Sequence, residues 1–408
     1  MSPTNIALSN LRAVVIVIVL AFHSVLPYIA ALPAEPFPFD QAPHRWLAFP
    51  IVDSQRWFGF DLFCAWQDVS LMSLMFFLSG LLTAPSLQRK GPRRYLSDRM
   101  WRIGVPFLVG VGILSPIAYY ASYRVTAVDP GVPAFWGHWL SLGFWPSGPQ
   151  WFLWQLCALG VLAAALWRFA PRWAGRLGEL GRDCRDRPLH FLLALSGMSA
   201  LVYVPLAVVW SPWAWEQFGP FSIQLSRPLH YAVYFFAGFA LGYHGLDRSL
   251  LRFDGPMARY WAAWLAAALV AFGLWGGLTS LTFPDWDASP ITVQIGASLA
   301  FALACATGGL SLLAACLRWL RTSRRALDSL SRHAYSMYLL HYVFVVWLQY
   351  ALLESDAPAP FKAALVLTGS VALSWGASVA LGKTAMAAYG LAGPQQRQAR
   401  AMITNQRS

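Results

Sequence analysis

The stretch LRAVVIVIVLAFHSVLPYIAAL, at residues 11–32, is almost entirely apolar and carries two basic side chains, Arg12 and His23. An apolar run of this length matches a bilayer when it is helical, because about 20 helical residues cross about 30 Å of hydrocarbon. The run is too long for the apolar part of a signal peptide and has no small-residue cleavage site. We therefore expect an uncleaved first transmembrane helix.

The rest of the chain has the same character. Of its 408 residues, 57% are hydrophobic and only 12% are charged, whereas a soluble domain has about 25% charged residues. Apolar runs of about 20 residues favour helices over the 10-residue alternation of a membrane barrel. We predict an all-α, polytopic membrane protein with about ten transmembrane helices. The nine that follow the first are predicted at 61–84, 103–123, 150–167, 189–210, 228–246, 260–280, 291–317, 333–353 and 363–391.

The basic residues predict the orientation of these helices. Ten helices put both termini on one side, and 25 of the 30 Lys and Arg residues then fall on that side. Basic residues concentrate in cytoplasmic loops, so both termini are predicted to be cytoplasmic. We therefore attribute the net charge of +12 to the orientation of the protein in the lipid bilayer, and nucleic acid is not an expected partner. The five exceptions are Arg45, Arg56, Arg124, Arg227 and Lys362.

One domain is expected, a transmembrane domain at 1–393 followed by a polar cytoplasmic tail at 394–408. The five cysteines are scattered and form neither a metal-binding pair nor a disulfide framework. The chain also lacks the phosphate-loop, HExxH and GxSxG motifs. These absences disfavour ATP hydrolysis, a serine nucleophile and a metal site, so no metal and no bound cofactor are expected.

Arg12 and His23 lie 11 residues apart, a spacing that puts both on one face of a helix to within about 20° and separates them by about 16 Å. Arg12 is then expected at the cytoplasmic surface and His23 near or beyond the midplane, towards the outer face. A guanidinium suits the phosphates of an acyl-coenzyme A, and a neutral imidazole could take a proton from a hydroxyl group on the other side. Each residue alone also has an ordinary explanation, a charge anchor for Arg12 and an interhelical hydrogen bond for His23.

The same pair resembles the Arg-x10-His motif of the integral-membrane acyltransferase-3 family. Further segments resemble that family's motifs in the same order along the chain, over about residues 8 to 345. In chain order, the matching segments are Leu11-Arg12 with Phe22-His23, Met75-Phe76-Phe77-Leu78-Ser79-Gly80, Tyr95-Leu96 with Arg99, Arg102-Ile103 and Pro106, Trp151-Phe152-Leu153, and Ser336-Met337-Tyr338-Leu339-Leu340-His341. The chain is also similar to the branch of the family that includes glucan biosynthesis protein C.

The resemblance implies a membrane O-acyltransferase that uses acyl-CoA as co-substrate and modifies a glycan. It implies that His23 is the general base, or the group that handles the acyl transfer directly, and that Arg12 is on the donor side. Arg99 and Arg102 match basic positions that hold donor phosphates, although inside-loop anchoring explains them equally well. Many members have His before Trp-Phe-Leu, where this chain has Gln150. An amide can bind a sugar or an acyl carbonyl but cannot take a proton.

Other polar and aromatic residues complete the predicted site. Asp68 is expected either to orient His23 or to pair with another polar group. Tyr338 and His341 are expected either to line the acceptor cavity or to bond across helices. Trp151 belongs to a group of outer tryptophans that form either an interfacial belt or a platform for sugar rings.

A different class of function fits part of the same pattern. Ten helices with polar residues near the midplane are also typical of a transporter or flippase for a glycan or lipid-linked sugar. The sequence shows no inverted repeat, and a transporter should tolerate a change at His23 that an enzyme would not. The enzyme hypothesis places the protein in a bacterial inner membrane. Periplasmic proteins that present the glycan fit this hypothesis, but the sequence has no signature of them.

Overall fold

The computed structural model describes residues 2–389, with side chains described as far as residue 382. The predicted tail at 394–408 and the last two residues of the tenth predicted helix lie outside this range. The α-helices, in chain order, are α1 Pro3–Val25, α2 Phe58–Arg99, α3 Val105–Val109, α4 Ser115–Thr126, α5 Val132–Ser141, α6 Trp151–Phe169, α7 Pro171–Asp183, α8 Pro188–Trp210, α9 Pro228–Gly242, α10 Pro256–Arg259, α11 Trp261–Ser280, α12 Ile291–Trp319, α13 Arg325–Ala351 and α14 Ala359–Tyr389.

The predicted fold class is confirmed, because helical structure covers most of each of the ten predicted apolar segments. Judged by length and apolar composition alone, seven described helical segments could cross a membrane. Two other predicted spans are helical but do not meet these criteria: α9 has only 15 residues, and α13 begins with charged turns. The first helix begins and ends earlier than predicted, at Pro3 and at Val25, just before Pro27.

The second and third predicted spans form one helical segment of 69 residues, Phe58–Thr126. At 1.5 Å per residue a straight helix of this length would be about 100 Å long, roughly three times the hydrocarbon thickness. The helix breaks at Gly91, whose φ of 72° lies in the left-handed region that glycine enters without a steric penalty. Pro92 follows as a natural first residue of the next helix. The helices therefore extend into the region 85–102 that was predicted to be a loop.

Two π-helical turns interrupt the third span, at Met100–Gly104 and Gly110–Leu114. A π-turn inserts one extra residue into a helix and shifts the side chains around it, and such turns are common at functional sites. Arg102 lies in the first π-turn, and Arg99 comes just before it. The local helix geometry therefore changes where the sequence places its candidate donor-binding arginines.

α2 and α9 pack with their backbones in close contact. A Cβ atom on Gly80 would lie 1.9 Å from the Phe235 carbonyl oxygen, and one on Gly238 would lie 2.1 Å from the Phe77 carbonyl oxygen. Small residues permit such contacts between membrane helices. The glycine of the Phe-Phe-Leu-Ser-Gly segment is thus required by helix packing.

The outer loops contain the only described sheet, an antiparallel hairpin of β1 Trp215–Phe218 and β2 Phe221–Gln224. A second connection on this side is an ion pair in which Lys362 Nζ lies 2.8 and 3.1 Å from the two carboxylate oxygens of Asp53. The Lys362 and Asp53 side chains are 0% and 1% exposed. The pair joins the loop between α1 and α2 to the start of α14.

We expect Gly238→Ala to lower the free energy of unfolding by about 1–3 kcal/mol, because the added methyl group would push α9 away from α2. Gly197→Ala in α8 is the matched control, since no atom of the described residues lies within 4 Å of its Cβ position, and alanine is intrinsically favoured in a helix. Thermal unfolding in detergent measures both. Equal midpoints for the two variants would contradict the close packing of α2 and α9.

Candidate functional site

Two cavities meet end to end along α1. The inner cavity, about 430 Å³, lies beside the basic turns that follow Gly91 and is lined by Arg12. The outer cavity, about 520 Å³, lies beneath the outer loops and is lined by His23. Both volumes are typical of small-molecule sites. The residues that line both cavities form the junction between them: Val19, Met75, Phe152 and Tyr338.

The inner cavity is strongly cationic. Its lining contains Arg12, Lys90, Arg99 and Arg102 but only one carboxylate, Asp98. Lys90 and Asp98 form an ion pair with each other. The described residues provide no hydrogen-bond or ion-pair partner for the guanidinium groups of Arg12 and Arg102, both of which are exposed. The cavity therefore has free positive charge for an anionic ligand.

Arg99 is held in place by the helices around it. Its Nε donates to the Tyr95 hydroxyl at 2.8 Å, and its Nη2 donates to Ser79 Oγ at 3.1 Å and Thr83 Oγ1 at 3.2 Å. These bonds go to neutral hydroxyl groups, so the positive charge of Arg99 is not cancelled. The arrangement fixes the direction of the guanidinium while keeping the charge for a ligand.

The outer cavity combines aromatic rings with polar groups, among them one cation, Arg45, and one carboxylate, Asp68. Trp151, Trp213 and Trp215 line it, and the hairpin adds Gln217 and Gln224. The Trp151 and Trp215 rings meet edge to face with centroids 5.4 Å apart. Of the outer tryptophans, these three therefore line the outer cavity, as a platform for sugar rings requires. The other outer tryptophans are not among its lining residues.

His23 lies where α1 meets α13. Its ring contacts His341 and Tyr342, with centroid distances of 5.1 and 5.3 Å. Its backbone carbonyl accepts a hydrogen bond of 2.7 Å from Gln349 Nε2. Its Nδ1 is buried and has no partner among the described residues. The imidazole is therefore partly buried at the wall of the outer cavity, with its main chain tied to α13.

Among the described residues Asp68 pairs with Arg227, and no hydrogen bond joins it to His23. Asp68 is bound by both terminal nitrogens of Arg227, with N–O distances of 2.5 and 2.6 Å. The Arg227 side chain is only 3% exposed, and its guanidinium carbon lies 4.8 Å from the centre of the Phe301 ring. A buried guanidinium needs a carboxylate at this distance to offset the loss of its hydration, so Asp68 has the other predicted role.

Two of the four predicted substrate-binding residues line the outer cavity, and two do not. Trp151 and Tyr338 line it, and the Tyr338 hydroxyl donates to the Pro149 carbonyl. Gln150 and His341 are buried behind the wall, where Gln150 Nε2 donates to the Leu339 carbonyl at 3.4 Å. Neither residue is among those that line the inner or the outer cavity.

Arg227 is a structural residue of the site that the sequence analysis did not select. The sequence does contain a signal for it. Asp68 lies in an apolar segment and requires a cation, and only five Lys and Arg residues are predicted on the outer side. For metals, the described residues contain no group of three or more His, Cys, Asp and Glu side chains that could hold an ion.

The helices and cavities together define a multi-pass membrane protein with a cationic binding site on one side and a histidine-containing site on the other. A family model described as an acyltransferase domain matches residues 5–379. The chain therefore belongs to the acyltransferase-3 family and is a membrane acyltransferase. Comparisons with curated proteins and with solved structures give no match.

We expect Asp68→Leu to lower the free energy of unfolding by about 3 kcal/mol, because the buried Arg227 guanidinium would lose its counter-charge. The double variant Asp68→Leu with Arg227→Leu should recover at least half of this loss, since it removes both charges together. Thermal unfolding of the purified variants in detergent checks this. Additive losses in the double variant would show that the two residues do not act as a pair.

Proposed function

We propose that the protein is an O-acyltransferase of the bacterial inner membrane. It moves an acyl group, such as acetyl or succinyl, from a cytoplasmic acyl-CoA to a hydroxyl group of a periplasmic or cell-surface glycan. The observation that carries the proposal is that Arg12 and His23, on one face of α1, open into two different cavities that share a wall. In this proposal the donor and the acceptor bind in separate cavities and react at the junction between them.

The inner cavity suits the donor. Coenzyme A has a diphosphate and a third phosphate, and Arg12, Arg99 and Arg102 supply guanidinium groups that can bind phosphates in pairs of hydrogen bonds. The pantetheine arm is thin and mostly uncharged. In the proposed complex it passes the junction at Val19 and Met75, which brings the thioester towards His23.

The outer cavity suits the acceptor. Sugar rings bind through their apolar faces to aromatic side chains and through their hydroxyl groups to amides and hydroxyls. Trp151, Trp213 and Trp215 supply the first kind of surface, and Gln217 and Gln224 supply the second. The similarity to the branch with glucan biosynthesis protein C favours a periplasmic glucan, presented by partner proteins on that side.

The proposed reaction is a single transfer. His23 takes the proton of the acceptor hydroxyl as that oxygen attacks the thioester carbonyl carbon. An O–C bond forms, the C–S bond breaks, and the proton on the imidazole passes to the departing thiolate. The products are the ester and free coenzyme A, and no bound cofactor takes part.

We expect His23→Gln to reduce transfer by a factor of about 10²–10⁴, the usual contribution of a general base, because an amide cannot accept the proton. The measurement is mass spectrometry of surface and periplasmic glycans from cells with the wild-type protein, the variant or neither, together with thiol release from acyl-CoA by the purified protein. An immunoblot of the membranes controls for protein level. Glycans that differ among the cells in amount or location, but not in acylation, would favour the transporter hypothesis.

We expect Arg12→Gln to raise KM for acyl-CoA at least about tenfold with little change in kcat, since a charged hydrogen bond contributes about 1.5–3 kcal/mol to binding. Arg93→Gln is the matched control, because Arg93 is exposed on the same side but does not line the inner cavity. Steady-state kinetics at varied donor concentration separate the two parameters. An equal effect of both changes would mean that Arg12 is only one of many surface charges.

A further inference from the structure

Two neighbouring imidazoles each have a buried nitrogen that finds no hydrogen-bond partner among the described residues. The unpaired atoms are His23 Nδ1 on α1 and His341 Nε2 on α13. The ring centroids are 5.1 Å apart and the rings are tilted by 45°. A buried polar atom without a hydrogen bond costs about 1–3 kcal/mol, so two of them on adjacent rings require an explanation.

The bonding of His341 identifies its protonated nitrogen. Its Nδ1 lies 2.6 Å from the Tyr338 carbonyl oxygen, and a carbonyl only accepts, so Nδ1 carries a proton. The side chain is 0% exposed, and no carboxylate among the described residues bonds to it, which favours the neutral ring. A neutral imidazole with its proton on Nδ1 has a lone pair on Nε2. The unpaired nitrogen of His341 is therefore an acceptor.

The position of His23 requires the complementary arrangement. Its Nδ1 is the buried ring nitrogen, and the ring lines the outer cavity, so Nε2 is the nitrogen that a substrate reaches. For Nε2 to accept a proton, the neutral ring must carry its own proton on Nδ1. That N–H group needs an acceptor, and the neighbouring His341 ring offers the lone pair of its Nε2.

We propose that His341 is the positioning residue of His23, and that its Nε2 accepts a hydrogen bond from the Nδ1–H of His23. This inference rests on the proposed function, because it assigns His23 Nε2 as the base of the acyl transfer. His341 then has the role of orienting His23, which is one of the two roles predicted from the sequence for Asp68. It touches no substrate. It selects the reactive tautomer of His23 and stabilises the positive charge that forms when His23 takes the hydroxyl proton.

The surrounding contacts limit how the two rings can move. Gln349 holds the backbone of His23 against α13, and Phe22 and Tyr342 meet the His23 ring edge to face at 5.0 and 5.3 Å. In the proposed arrangement the rings turn so that the two nitrogens come within hydrogen-bond distance. Catalytic hydrogen bonds are often long without substrate and shorten when it binds.

The test compares substitutions that keep or remove an acceptor at this position. His341→Gln retains an amide oxygen at about the same reach, whereas His341→Leu has no acceptor and the amide of His341→Asn is too short. We expect kcat to fall about 10- to 100-fold in the Leu and Asn variants and to stay within about threefold of wild type in the Gln variant. KM for both substrates and the unfolding temperature should change little in all three. A structural role would alter KM or stability and would not separate Gln from Leu.

A second measurement does not depend on transferase activity. Diethyl pyrocarbonate modifies a ring nitrogen that has a free lone pair, and peptide mass spectrometry gives the rate at each histidine. His44 lines the same cavity and serves as the internal reference for reagent access. We expect modification of His23, relative to His44, to slow about tenfold in the Leu and Asn variants and to persist in the Gln variant. Equal rates in all variants would overturn the pairing, whether or not the wild-type protein transfers acyl groups. A wild-type protein without transfer would overturn the proposed function alone.

Discussion

The cost of burying a charge without a counter-charge governs this structure. In the outer half, Lys362 and Arg227 are buried, and each has its own carboxylate, Asp53 or Asp68. These pairs join distant parts of the chain, because an ion in hydrocarbon must find its partner wherever the fold brings one. Cations for which the described residues provide no carboxylate, such as Arg12 and Arg102, are exposed and line the inner cavity. The paired cations thus stabilise the helix bundle, whereas the unpaired cations of the inner cavity are available to an anionic ligand.

The geometry of α1 could be predicted from the sequence because it depends on one helix alone. The spacing of Arg12 and His23 sets their shared face and their separation, whatever the other helices do. Contacts between helices could not be predicted in this way. Asp68 and Arg227 are 159 residues apart, and the sequence offered His23 as an equally reasonable partner. The burial of Gln150 and His341 likewise depends on how α6 and α13 pack, which a single sequence does not specify.

Local backbone chemistry explains the remaining differences between prediction and structure. Hydropathy gave the position of the second and third spans but not their ends, because basic residues in 85–102 are as compatible with a helix as with a loop. The turn is made by Gly91, a residue type that is also common inside membrane helices. The π-turns around Arg102 have no sequence signature. The first of them matters for the inner cavity because it contains Arg102, which lines that cavity.

The junction at Val19, Met75, Phe152 and Tyr338 has an electrical consequence. In the proposed reaction coenzyme A stays on the cytoplasmic side, and only the acyl group passes outwards. An acetyl group is neutral, so its passage does no work against the membrane potential. A succinyl group carries a carboxylate, and an inside-negative potential drives an anion outwards by up to about 2.3 kcal/mol per 100 mV for a full crossing. Transfer of an acidic acyl group would therefore be driven partly by the membrane potential, whereas acetyl transfer would be driven by the free energy of the thioester alone.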